Sequence, residues 1–128
     1  MKDGLYNRNV YWNKEVGKSV RNALSMPYTI APTFHAYNKM AKLRLPKGCY
    51  TAMLHGSVIE AQVKNNKVVK IITRLPNRFR PTQDICAAIL LEPSEITNKA
   101  VVKTIWTNNA WDKHDSINVN NYVKGEVI

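Results

Sequence analysis

The chain divides by the period of its apolar residues. In "NKEVGKSVRNALSM", residues 13–26, Val16, Val20 and Leu24 recur at four-residue steps, which predicts one face of a helix. Asn13 suits its N-cap, and Gly17 is its weak point. Pro27 and Pro32 in "PYTIAPTF" break the pattern. "TFHAYNKMAKLRL", residues 33–45, predicts a second helix capped by Thr33, with Phe34, Tyr37, Met40 and Ala41 as its apolar face. Pro46 and Gly48 are expected to end it. From residue 57 the period falls to two. Ile59, Ala61 and Val63 alternate with Glu60, Gln62 and Lys64. Asn65 and Asn66 then supply turn residues ahead of a second β-rich run, so "SVIEAQVKNNKVVKIITRL" predicts a hairpin. "PNRFRPTQ" reads as a loop. "DICAAILLE" is apolar on both faces and suits a central strand. After the turn "PSEITNK", "AVVKTIWT" is the last strong strand. Val102, Thr104 and Trp106 are expected on one side, and Val101, Lys103, Ile105 and Thr107 on the other. Residues 1–12 are expected to be an arm or a short strand. The order is helix, helix, then four strands. It predicts one α+β domain over residues 1–128, with N-terminal helices packed on a mainly antiparallel, twisted four-stranded sheet.

Composition changes this picture mainly through charge. Nineteen Lys and Arg face nine Asp and Glu, a formal charge of +10. Such an excess suits a polyanionic partner, of which nucleic acid is the commonest. Cys49 and Cys86 form no C-x-x-C pair and no metal-ligand spacing with the three histidines. Cys86, inside an apolar run, reads as a small core residue. No disulfide is required, which makes a reducing cytoplasm the expected compartment. "MKDGLYNRNVYWNKE" has no apolar run of the signal-peptide kind. No stretch approaches the ~18 apolar residues of a transmembrane helix, so no membrane role is expected.

The candidate chemistry gathers where the last strand ends, in "TIWTNNAWDKHDSI". His114 follows Asn108 by six residues. A histidine just past a strand end is held by a scaffold yet reaches solvent, a usual place for a general acid or base. A surface histidine without a role is the equal alternative. His35 sits at the start of the second helix, where the helix dipole favours a bound anion. His55, beside Gly56, reads as a turn residue. The acidic residues Asp84, Glu92, Glu95, Asp112 and Asp115 are scattered rather than clustered as a Mg²⁺ site needs. A metal-free ribonuclease instead needs a base for the 2′-hydroxyl, an acid for the leaving 5′-oxygen, and cations for the phosphorane. His35 and His114 can form the acid/base pair. Lys103, Arg74, Arg78 and Arg80 can supply the positive field. No cofactor is expected.

These residues also carry a resemblance. "VVKTIWTNNAWDKHDSINVNNYV", the helix beginning "FHAYNKMAKLRLP" and the hairpin "GSVIEAQVKNNKVVKIITRLP" together resemble the barnase, colicin D and RelE group of metal-independent endoribonucleases, the BECR fold. The likeness covers about residues 33 to 123. It implies a four-stranded antiparallel sheet with preceding helices, and RNA cleavage through a 2′,3′-cyclic phosphate by residues on the concave sheet face. The positions matched are His35, Lys103, Thr104, Trp106, Asn108, His114 and Tyr122, with His35, Lys103, Thr104, His114 and Tyr122 implied as catalytic. The extra Trp111 and the prolines of "LPNRFRPTQD" depart from the pattern.

On this reading the strand end is the rim of an active site. Trp106 or Trp111 would stack on a base. Asn108 and Lys113 would contact substrate, and Asp112 or Asp115 would orient His114. The bland version has the tryptophans packing a sheet edge above a solvated turn. Two functions follow. The first is a toxin-like or phage-encoded endoribonuclease acting on transfer or messenger RNA, with an antitoxin or immunity protein as an expected partner. The second is a non-catalytic nucleic-acid-binding or host-protein-inhibiting module on the same fold.

Overall fold

A computed structural model of the chain describes residues 10–11, 14–46, 48–64, 67–77, 80–92, 96–109, 123–124 and 126–127. The elements run β1 (Val10–Tyr11), α1 (Lys14–Leu24), β2 (Thr29–Pro32), α2 (Phe34–Lys42), α3 (Cys49–Met53), β3 (Ser57–Lys64), β4 (Lys67–Pro76), β5 (Gln83–Glu92), β6 (Lys99–Asn109), β7 (Val123–Lys124) and β8 (Glu126–Val127). The class is α+β, as the pattern predicts. The sheet is larger and mixed. β3, β4, β5 and β6 form the expected antiparallel run. β2 adds to β6 in parallel, and the two-residue β7 extends the other edge beside β3. β1 pairs with β8 in a separate two-stranded ribbon.

The strand β2 overturns the reading of residues 27–34 as a simple break. Its Pro32 closes the β2–β6 ladder opposite Val102. An edge strand tolerates proline, which has no N–H to give the ladder. Asn98 fixes the strand's start, donating from Nδ2 to the Pro27 carbonyl at 3.2 Å. Upstream, the Tyr28 hydroxyl donates to the Ala23 carbonyl at 2.8 Å and satisfies one orphan acceptor of α1. Burial pushes the Tyr28 hydroxyl's pKa up, which keeps it a donor.

Helices and sheet meet in one main core. Val20 and Ala23 of α1, Ala36 and Met40 of α2, and Met53 of α3 pack against Ala61, Ile71, Ala87, Ile89, Val102 and Ile105 of the sheet. A smaller cluster of Ile59, Ile72 and Ala88, with Trp106 against it, occupies the opposite face. β5 is therefore buried on both sides from Asp84 to Ile89, as its apolar run predicts.

The helix faces differ from expectation. In α1, among the side chains described, Val20 and Ala23 are buried, while Leu24 lies at the rim, 37% exposed. In α2 the buried pair is Ala36 and Met40, and Phe34, Tyr37 and Ala41 face outward. Small Ala36 lets the helix approach β6 closely, and Met40 fills the remaining gap.

Register shifts reset the strand alternation, and two of them bear on the core and the site. The pairings Val58↔Thr73 and Glu60↔Ile72 leave Ile59 as an extra residue, so Ile59 joins the second face while Ala61 stays in the main core. The pairings Ala88↔Thr104 and Ile89↔Val102 leave Lys103 extra in β6. Val102 and Ile105 both reach the main core in consequence, whereas Trp106 goes to the other side. The expected grouping of Val102 with Thr104 and Trp106 is thereby corrected.

Candidate functional site at the α2–β6 junction

The bulge at Lys103 and the start of α2 are joined by one residue. The Thr33 N–H donates to the Val102 carbonyl at 3.0 Å, continuing the β2 ladder by one step. Its hydroxyl donates to the Lys103 carbonyl at 3.0 Å and accepts from the Ala36 N–H at 3.1 Å. Thr33 is thus the N-cap that the sequence predicts, and it also staples α2 to the bulge. His35 follows on the first turn of α2. Its Nε2 lies 3.4 Å from Thr104 Oγ1, a long hydrogen bond that fixes one edge of the ring. His35 and Lys103 are both exposed.

The electrostatics here have one sign. β2, α2 and β6 carry Lys39, Lys42, Lys99 and Lys103 and no Asp or Glu. The unsatisfied N–H groups at the α2 N-terminus add a partial positive charge. The elements at this junction supply the imidazole of His35, the hydroxyl of Thr104 3.4 Å away and the exposed Lys103. That set can move a proton and stabilise negative charge on a phosphate.

Farther along β6, Trp106 is half-buried against the second-face cluster. One side of its indole is therefore committed to packing. Asn108 pairs with Asp84 in the ladder and is half-buried.

Arg74 does not contribute to a surface field. It is 1% exposed, and its Nε donates to Asp84 Oδ2 at 2.6 Å. Its Nη2 donates to the Asn109 carbonyl at 2.8 Å. The expectation of a phosphate contact at Arg74 is corrected: the guanidinium ties β4 and β5 to the end of β6. Burial pushes the Asp84 carboxyl up, and the hydrogen bond and charge of Arg74 pull it back. Cys86, enclosed beside this pair, is pushed up to about 12 by burial. It remains a thiol through the physiological range, which fits its reading as a core residue.

No family model, curated relative or solved structure matches the chain. Among the predicted site residues, His35 and Thr104 come together, and Lys103 adjoins them through its carbonyl, bonded to Thr33. Trp106 and Asn108 lie farther along the same strand. Arg80 is exposed in the turn after β4, where its N–H donates to the Asn77 carbonyl at 3.1 Å. His114, Lys113, Tyr122 and Arg78 lie outside the described residues, as do Trp111, Asp112 and Asp115. Among the described residues no group of three His, Cys, Asp or Glu side chains is placed to hold a metal ion. Two residues escaped the sequence reading. Asp84 was one of several scattered acids, and only the ladder reveals it opposite Asn108 and against Arg74. Phe34 sits at helical spacing, where an aromatic is usually buried, yet it is 81% exposed.

Proposed function

We propose that the chain is a metal-independent endoribonuclease whose acid–base centre includes His35, Thr104 and Lys103. The observation that supports this reading most directly is the 3.4 Å approach of His35 to Thr104 beside exposed Lys103, on elements without a carboxylate. In the reaction, a ribose 2′-hydroxyl attacks the adjacent phosphorus. The O2′–P bond forms, the P–O5′ bond breaks, and a 2′,3′-cyclic phosphate and a 5′-hydroxyl result. One imidazole takes the 2′ proton and another gives a proton to the 5′-oxygen. His35 fills one of these roles, and the resemblance assigns the other to His114. Thr104 orients the His35 ring, and Lys103 stabilises the phosphorane oxygens. The antiparallel run β3-β4-β5-β6 with preceding helices supports kinship with the barnase, colicin D and RelE group. Parallel β2 is then an addition to that plan.

A non-catalytic RNA-binding or host-protein-inhibiting module is the second reading. What favours it is that His35 is the only imidazole at the junction among the described residues. The test is incubation of the purified protein with total RNA and with transfer RNA, with and without EDTA, followed by end-group analysis. Cleavage that persists in EDTA and leaves cyclic or 3′-phosphate ends is expected. Cleavage that vanishes with EDTA and returns with Mg²⁺ refutes the mechanism. RNA binding without cleavage selects the second reading.

A further inference from the structure

We propose that Phe34 is a base-stacking platform at this junction, so that the strand bound there is single-stranded RNA with unpaired bases. The inference rests on the reading of the partner as RNA and extends it to the form of RNA. Phe34 is 81% exposed, and Tyr37, three residues on, is 45% exposed. Residues three apart share a helix face, so the two aromatics form one outward surface. Burying a phenylalanine ordinarily stabilises a fold, and α2 forgoes that gain by turning Ala36 inward instead. The placement is fixed rather than loose. Thr33, the preceding residue, is bonded to both Ala36 and the Lys103 carbonyl.

Charge selects the occupant. An exposed ring on elements carrying four lysines and no carboxylate offers a π-face beside cations. Single-stranded nucleic acid is bound by this combination, with bases on aromatic rings and the backbone along positive charge. A duplex keeps its base faces stacked inside and has none to offer Phe34. His35 follows Phe34 on the first turn of α2, and Thr33, which precedes it, is bonded to the Lys103 carbonyl, so a phosphate next to the stacked base would meet basic groups of these two elements.

The test uses the full chain and a short fluorescein-labelled 2′-O-methyl RNA strand, whose blocked hydroxyl prevents cleavage, both alone and annealed to its complement. Affinities are read by anisotropy at one salt concentration for the parent, Phe34→Ala and Phe34→Trp. The expected result is a roughly ten-fold or greater loss for the single strand with Phe34→Ala, recovery with Phe34→Trp, and an unchanged affinity for the duplex. An Ala variant that binds the single strand like the parent overturns the proposal and leaves the RNA reading intact. An equal loss on both probes overturns it too, because it marks general damage to the surface. A parent that binds neither probe removes the RNA reading, and this inference falls with it. If Phe34→Ala instead dissolves a self-associated form in sedimentation and leaves RNA affinity unchanged, the ring's occupant is a second copy of the chain, and the proposal fails.

Discussion

Single residues in the sheet carry opposite energetic signs. Thr73 is fully buried and its hydroxyl has no hydrogen-bond partner among the described residues. A buried unsatisfied hydroxyl costs about 1–3 kcal/mol, so Thr73→Val, nearly the same shape, is expected to stabilise the protein by about 1 kcal/mol. Urea unfolding checks it: the midpoint should rise with the slope unchanged. Arg74 is the contrary case. Removing it leaves the Asp84 carboxylate enclosed without its cation, and such broken pairs typically cost about 3–5 kcal/mol. Arg74→Ala is therefore expected to lower the urea midpoint sharply. A variant as stable as the parent would mean that the pair does not hold the end of β6. No such loss is expected at Arg80, which is exposed.

At the scale of elements, α2 ends in a way its sequence conceals. The Leu45 N–H donates to the Met40 carbonyl at 2.9 Å, and the Arg44 N–H to the Ala41 carbonyl at 3.1 Å. Arg44 takes φ 55°, the left-handed conformation that such a cap requires. Leu45 and Met40 then meet in the core. Glycine is the usual residue at that position because a Cβ is strained there. Arg44→Gly is expected to add about 0.5–1 kcal/mol of stability and to raise the melting temperature by about 2–5 °C. A lower melting temperature would contradict the capping account.

The same elements show what the sequence made legible. Strong periods predicted the hairpin, the central strand β5 and the Thr33 cap. Tertiary pairing decided the rest. A bulge at Lys103 changes which residues share a face. A four-residue parallel strand leaves no period to read. In α2, Ala36 and Met40, rather than the aromatics Phe34 and Tyr37, took the inner face. At the site, the histidine at the α2 start and the lysine of the last strand were readable. Their union through Thr33 and Thr104 was not, because it depends on contacts between residues about seventy positions apart.

For the whole molecule, charge and architecture converge on one margin. Four of the nineteen Lys and Arg lie on α2 and β6, which with β2 carry no Asp or Glu of their own, and the sheet holds these elements beside one another. Among the described residues no helix is long and apolar enough to cross a membrane. The central claim is that His35 handles a proton during RNA cleavage. The direct measurement is single-turnover cleavage of an RNA substrate in EDTA by the parent and by His35→Ala, beside a thermal melt of each. His35 is exposed, so the melt should be nearly unchanged, within about 0.5 kcal/mol. General acid–base catalysis typically contributes ~10²–10⁴ in rate, and a loss of at least about a hundredfold is predicted. A folded His35→Ala protein that cuts RNA at the parent rate would contradict the assignment.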